Sequence, residues 1–254
     1  MERSIHTFDN GVRVYDDHLL DEQRERYRKH NVHESEEENI FVDLIQRLPA
    51  NGCFVDVGAA IGYYLILARK LAPDLTIHAV EPLARHRAFL RQNVVLNGLS
   101  DNDFTVYVEG LTSSVGNETF MDRGFGSRLP RNERDRRISL STRWKRFLER
   151  MGLRQPKPGS QVLVIPTITL DLLVERIGRQ VDLLQIDVQG LEVEVLKGGM
   201  QSMASGGVRT FLIGTHGLRI HQECVARLQA SGYVIEINQP DTKEQPDGII
   251  VARK

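Results

Sequence analysis

Short apolar runs closed by Gly, Pro or Asp predict strands at 53–58, 76–81, 104–109, 181–187 and 208–214. Between them apolar residues fall three and four apart, which predicts helices near 62–71, 83–96, 169–177, 190–198 and 218–230. Such alternation builds a mostly parallel sheet with helices on both faces, an α/β fold. The end of the chain departs from it. Tyr233–Ile237 and Gly248–Val251 are two strands joined by a loop with no room for a crossover helix, so the last strand pairs antiparallel with its neighbour. Upstream, Ser35–Glu38 reads as a capping box opening a helix that buries Ile40, Phe41, Leu44, Ile45 and Leu48, with Pro49 and Gly52 ending it. Residues 1–34 read as an N-terminal extension with a short strand at Val12–Tyr15 and a charged helix at Leu20–Lys29, ahead of one domain over 35–254.

Residues 122–160 interrupt the alternation with twelve Arg and Lys against four Asp and Glu. Within them Trp144, Phe147, Leu148 and Met151 make an apolar helical stripe that Gly152 could end. A long insertion with a helix of its own is expected to be an ordered lid. Arg134, Arg136 and Arg137 are its candidate acceptor contacts, because guanidinium groups grip phosphate and carboxylate in a bidentate way. The alternative is a solvated charged face.

The chemistry-bearing pattern begins at Phe54. The run to Val57 ends in Asp56-Val57-Gly58-Ala59-Ala60-Ile61-Gly62, a strand, glycine turn and helix opening that belongs at the carboxyl end of a buried parallel strand. A dinucleotide fingerprint would need glycine at 60 to admit a pyrophosphate, and 60 is alanine. The next strand ends in Glu81-Pro82, placing an acid where a ribose diol would lie. A ribose without a pyrophosphate points to S-adenosylmethionine rather than NAD. Asp56, Gly58, Ala59, Gly62, Tyr63, Glu81 and Pro82 are the candidate cofactor residues; Tyr63 and Tyr64 could instead pack in the core.

Bulk properties add limits. At 254 residues, 33 Lys and Arg nearly balance 34 Asp and Glu, so net charge announces no nucleic-acid partner. Cys53 and Cys224 match no metal spacing or disulfide framework and are expected in the core. The first residues carry no apolar targeting segment and no stretch approaches eighteen apolar residues, so the expected location is the cytoplasm.

The run Asp56–Tyr64, Glu81-Pro82, Asn93-Val94-Val95-Leu96-Asn97, Thr169-Leu170-Asp171 and the block Leu184–Gly199 resemble class I methyltransferases of the FkbM type. The resemblance covers about residues 36–237. It implies a Rossmann-like seven-stranded sheet, S-adenosylmethionine as donor, and O-methylation of hydroxyls on sugars or natural products. Gln185 and Gln189 stand where the family form has Lys and Glu, and Ala60 where Asn is common. Those departures put any role of the missing carboxylate in doubt.

For a hydroxyl acceptor the protein must align the nucleophile and take its proton. Asp187 ends the fourth strand, and His216 follows the fifth between Gly214 and Gly217. His216 is the candidate base, with Asp187 positioning the acceptor or orienting the histidine; Asp187 could also cap the following helix. Glu192, one turn into that helix, could touch the acceptor or pair with a cation. Asp187 and Glu192 together could hold Mg²⁺, which the glutamine at 189 argues against, so no metal is assigned. The expected partner is a small-molecule or glycan acceptor, an anionic one if the arginines face it. A nucleic acid stands second: the base-amino motif after strand four is absent, neither cysteine is placed for C5 chemistry, and RNA ribose methylation stays open. A non-catalytic cofactor-binding protein is the third reading.

Overall fold

The computed structural model describes residues 3–122, 161–241 and 247–254. A two-stranded ribbon, β1 (Ile5–Thr7) and β2 (Arg13–Tyr15), leads into helices α1 (Asp21–Lys29) and α2 (Ser35–Gln46). Then follow β3 (Cys53–Val57), α3 (Tyr63–Leu71), β4 (Thr76–Val80), α4 (Ala84–Leu96) and β5 (Thr105–Tyr107). Three strands come next: β6 (Gly110–Leu111), β7 (Gly116–Asp122) and β8 (Gln161–Ile168). The chain continues through α5 (Leu170–Ile177), β9 (Val181–Ile186), α6 (Glu192–Lys197), α7 (Met200–Ser205), β10 (Val208–Thr215), α8 (Leu218–Ala230), β11 (Val234–Gln239) and β12 (Gly248–Arg253).

The main sheet has seven strands in the order β11-β12-β10-β9-β3-β4-β5. The five from β5 to β10 run parallel, and β12 lies antiparallel between β10 and β11. Alternate residues feed opposite faces, as a strand's period of two requires. Phe54, Ile77, Leu183 and Leu212 enter one apolar cluster, while Val55, Val57, Leu184, Ile186 and Ile213 enter the other. Both cysteines are buried and free. After β3 the chain builds outward through β4 and β5, then returns to the far side of β3 with β9. The crevice at the carboxyl ends of β3 and β9 is therefore the switch point where ligands bind in such sheets.

Residues 3–34 are not separate from the core: Phe8, Val12, Val14, Leu19 and Tyr27 share a cluster with Phe41 and Phe54. Asn93, fully buried, accepts from the Tyr15 N–H, lies 2.9 Å from His18 Nδ1 and donates to the Ile61 carbonyl. Asn97, one turn on, clamps both backbone groups of Arg13. The expected capping box is also absent. Glu34 is the N-cap of α2 without a side-chain cap, and Glu38 instead accepts from the hydroxyl of Tyr63 and the amide of Asn10.

A second, three-stranded sheet, β6-β8-β7, stands beside the main one. The antiparallel register of β7 and β8 runs from Gly116↔Thr167 to Asp122↔Gln161, so both ends of 123–160 leave from one point. The Arg-rich helix expected there, with Trp144, Arg134, Arg136 and Arg137, lies outside the described residues.

Candidate active site

The turn after β3 is shaped by protein atoms before any ligand. Gly58 has φ +96°, and a Cβ there would come within 2.0 Å of the Asp187 carbonyl oxygen. Gly62, φ +83°, abuts Leu90 of α4, 2.9 Å from where its Cβ would be. Close approach to Asp187 after β9 and to Leu90 of α4 already requires both glycines, as tight strand–helix packing would. Ala60 adopts φ +44°, an uncommon conformation for a residue with a Cβ, and its N–H donates to Glu81 Oε2 at 3.0 Å. Glu81 Oε1 accepts from the Leu83 N–H at 2.8 Å. Two backbone donors thus hold a buried carboxylate at the end of β4 and leave it further lone pairs.

Around this turn opens a cleft lined by Gly58, Ala60, Ile61, Glu81, Pro82, Leu83, Leu111, Glu118, Ile165, Thr167, Asp187, Gln189 and the N-terminal residues Gln23, His33 and Glu34. Of the expected cofactor residues, Gly58, Glu81 and Pro82 reach its wall. Asp56, Ala59 and Gly62 lie behind it. Burial, followed by the charges of Asp187 and Glu81, pushes Asp56 up to about 8. Tyr63 turns away. Its hydroxyl donates to Glu38 at 2.6 Å and accepts from Asn10 at 2.7 Å, and its ring meets Phe8, so it docks the N-terminal segment instead of the cofactor.

At the ends of β9 and β10 the sequence candidates converge. His216 Nδ1 lies 2.7 Å from Glu192 Oε1, which also accepts from the Gly190 N–H. His216 Nε2 faces Asp187 at 3.5 Å and Asp247 at 3.4 Å. Glu192 opens α6 and is fully buried, so it supports the imidazole from behind and does not line the cleft, and among the described residues it makes no ion pair with Lys or Arg. Burial alone would lower the His216 pKa, but the Glu192 hydrogen bond and the charges of Asp187, Glu192 and Asp247 outweigh it and raise it to about 9. Burial pushes Asp187 up to about 6 although the His216 charge opposes it, with 37% of the side chain still accessible. Gln189 holds φ +54° beside Gly190 at +99°, two consecutive left-handed residues next to Asp187.

Gln185, where the family form has lysine, donates to Glu37 at 2.8 Å inside the sheet face. Burial first, then Glu34 and Asp187, raise the Glu37 pKa well above the carboxylate range. A lysine there would have left an ion pair; glutamine leaves a neutral one. Among the described residues no group of three His, Cys, Asp or Glu side chains is arranged to hold a metal, and Glu192 is committed to His216 and Gly190. No helix among them is long and apolar enough to cross a membrane.

Asp247, Glu34, Glu37, His33 and Glu118 escaped the sequence reading. Asp247 stands in the Pro/Asp-rich loop before the last strand, where position alone gives no chemistry. Glu37 lies in the Ser35–Glu38 run that signals a helix start, and Glu34 closes the N-terminal extension just before it.

Residues 56–250 match the methyltransferase FkbM domain family. Methyltransferase sdnD of Sordaria araneosa is 31% identical over 168 residues, which is 61% of this chain and 62% of that protein. The methyltransferase FkbM of Methylobacillus flagellatus KT superposes with a TM-score of 0.55 at 14% identity, over 81% of this chain and 44% of its own. The matches thus span less than two thirds of either protein. An rRNA methylase from Streptococcus thermophilus shares the fold, with a TM-score of 0.50 at 9% identity over 86% of this chain and 96% of that one. With the family match over most of the chain and a class I sheet around the cleft, the chain belongs to the FkbM family of S-adenosylmethionine-dependent methyltransferases.

Proposed function

We propose that the protein transfers the methyl group of S-adenosylmethionine to a hydroxyl of a sugar, glycan or small natural product. The observation that carries this reading is the His216–Glu192 pair at 2.7 Å, a histidine fixed for proton transfer 3.5 Å from Asp187, which lines the cleft. The residues present suit the donor. Glu81 keeps lone pairs for ribose hydroxyls, and Ile61, Val80, Leu83, Leu111 and Ile165 supply an apolar wall for an adenine. When bound, S-adenosylmethionine supplies a methyl already activated on a sulfonium.

The chain's own work is orientation and proton removal. Glu192 fixes Nδ1, so His216 exchanges protons at Nε2, between Asp187 and Asp247. Asp187 lines the cleft and holds the hydroxyl. A base with a pKa near 9 matches a weakly acidic hydroxyl better than an ordinary histidine does, at the cost of a small active fraction at neutral pH.

Neutral acceptors are favoured. The described cleft lining contains Glu34, Glu81, Glu118 and Asp187 and no lysine or arginine. An anionic acceptor, or RNA, would have to be met by Arg134, Arg136 and Arg137, outside the described residues. The strands that flank them in sequence, β7 and β8, do reach the cleft, through Glu118, Ile165 and Thr167. Product formation from methyl-labelled S-adenosylmethionine against neutral sugars, small hydroxyl compounds, phosphorylated sugars and RNA tests the reading. Methyl ethers on neutral hydroxyls support it. Turnover of RNA alone would replace it, and binding without turnover of any acceptor would favour a cofactor-binding protein.

A further inference from the structure

Glu34 lies outside the residues that match the family and still lines the cleft. Its carbonyl accepts from the Glu38 N–H at 2.8 Å, and the N–H of His33 beside it donates to the Glu38 carboxylate, so its place at the start of α2 is fixed by the fold. Unlike Glu81, which two backbone N–H groups hold, Glu34 has weak support from a cation. Arg26 stands 4.0 Å away and directs its hydrogen bonds to the Tyr27 hydroxyl and the His33 carbonyl. The other charged groups that bear on it are Asp187 after β9, Asp247 before β12, His216 after β10, and Glu37 on α2. Three of these are the residues around the proposed proton transfer. Glu34 lines the cleft together with Asp187 and an adjoining hollow together with Asp247 and Glu37, which puts it at the reacting end, on the wall contributed by the N-terminal segment.

We infer that Glu34 reads the charge of the methyl donor: its carboxylate bears on the sulfonium within the cleft that Asp187 also lines, and the site prefers the charged donor to its neutral thioether product. This rests on the cofactor site proposed above. Burial, then the negative charge of Asp187, raise Glu34 to about 8, so without a ligand it holds a proton at neutral pH. A fixed positive charge beside it favours the ionised form and expels that proton. Donor binding is thereby linked to proton release, and the thioether, lacking the charge, leaves the proton in place. After methyl transfer the carboxylate faces a neutral product, takes its proton back and no longer holds the ligand by charge.

Titration calorimetry at pH 7 in two buffers of different ionisation enthalpy, with S-adenosylmethionine and S-adenosylhomocysteine, reads this directly. Wild type should release up to about one proton with the donor and almost none with the product. Donor affinity should rise with pH towards 8 and level off above it. Glu34→Gln should abolish the release and weaken the donor on the order of tenfold, leaving the product unchanged; Glu34→Asp should keep the release. Persistent release in Glu34→Gln would assign the proton elsewhere, such as Asp56, and overturn the inference, as would equal weakening of both nucleosides. Should Glu34→Gln not fold, the donor–product difference in wild type decides: equal proton counts overturn it. If wild type binds neither nucleoside, the cofactor site itself fails and the inference with it.

Discussion

Glu192 and His216, 24 residues apart in sequence, meet at 2.7 Å through Oε1 and Nδ1, with the glutamate fully buried behind the imidazole. The contact joins the first residue of α6 to the loop after β10, and it decides which histidine nitrogen is free. Nε2 is left between Asp187 and Asp247, so the proposed proton exchange and acceptor positioning would share one side of the ring.

Glu192→Gln should therefore act through the histidine. Losing one of the groups that raise His216 lets burial pull its pKa down from about 9. The ascending limb of the pH–rate profile should move to lower pH by on the order of one unit, with donor affinity unchanged. An unmoved limb would mean that Glu192 only braces α6.

Glu81→Ala should cost the donor more than the fold. Charge-assisted hydrogen bonds contribute roughly 1.5–3 kcal/mol each, so losing the proposed bonds to the ribose diol should weaken donor binding at least tenfold. The Ala60 and Leu83 N–H groups also lose their acceptor, and a melting measurement separates that loss from the binding loss. Unchanged donor affinity in a folded Glu81→Ala would remove Glu81 from the cofactor site.

Asn93→Ala should destabilise the whole domain, because it strands the Tyr15 N–H, His18 and the Ile61 carbonyl inside the core. Each buried group left unsatisfied costs about 1–3 kcal/mol. Chemical denaturation should show a loss of several kcal/mol together with early release of residues 3–34 in hydrogen exchange. A loss below about 1 kcal/mol would show that the apolar packing of Phe8, Val12 and Tyr27 holds the segment without the clamp.

The elements were legible because their signal is local. The strand–helix rhythm from Cys53 onward placed β3, β4, β9, β10 and α8 within a residue or two, and the short final loop fixed the antiparallel β12. Glu81, Asp187 and His216 were legible for the same reason, being set at strand ends by the topology. Side-chain direction was not. Tyr63 sits one residue past Gly62 and rotates into the N-terminal cluster, a choice made by Asn10 and Glu38 from segments far away. Glu192 has the same history: its partner lies in the loop after β10, 24 residues on. Strand β8 escaped the pattern because Pro166 breaks its run; the proline is tolerated where β6 pairs only with Thr167 and Ile168.

Thermal stability of the ligand-free protein should fall between pH 6.5 and 8. Asp56 and Glu34 titrate near 8 when folded and in the ordinary carboxylate range when unfolded. Over that window the folded state binds more protons, so stability drops as pH rises. Buried His33 is lowered to about 3, so its effect is complete below the window, while the stabilisation from the raised His216 is lost as pH climbs through about 9. A melting temperature that rises from pH 6.5 to 8 would contradict these assignments. Asp56→Asn and Glu34→Gln should each flatten the fall.

The central claim, that His216 takes the acceptor proton, is tested most directly by turnover of methyl-labelled donor in His216→Ala against wild type, at donor concentrations verified by calorimetry to saturate both. Removing a general base costs about 10²–10⁴ in rate, so His216→Ala should bind the donor normally and lose turnover by that factor, while the wild-type rate climbs with pH towards a plateau near 9. Near-normal turnover in His216→Ala, with a wild-type limb near pH 6, would contradict the account and give the proton to Asp187.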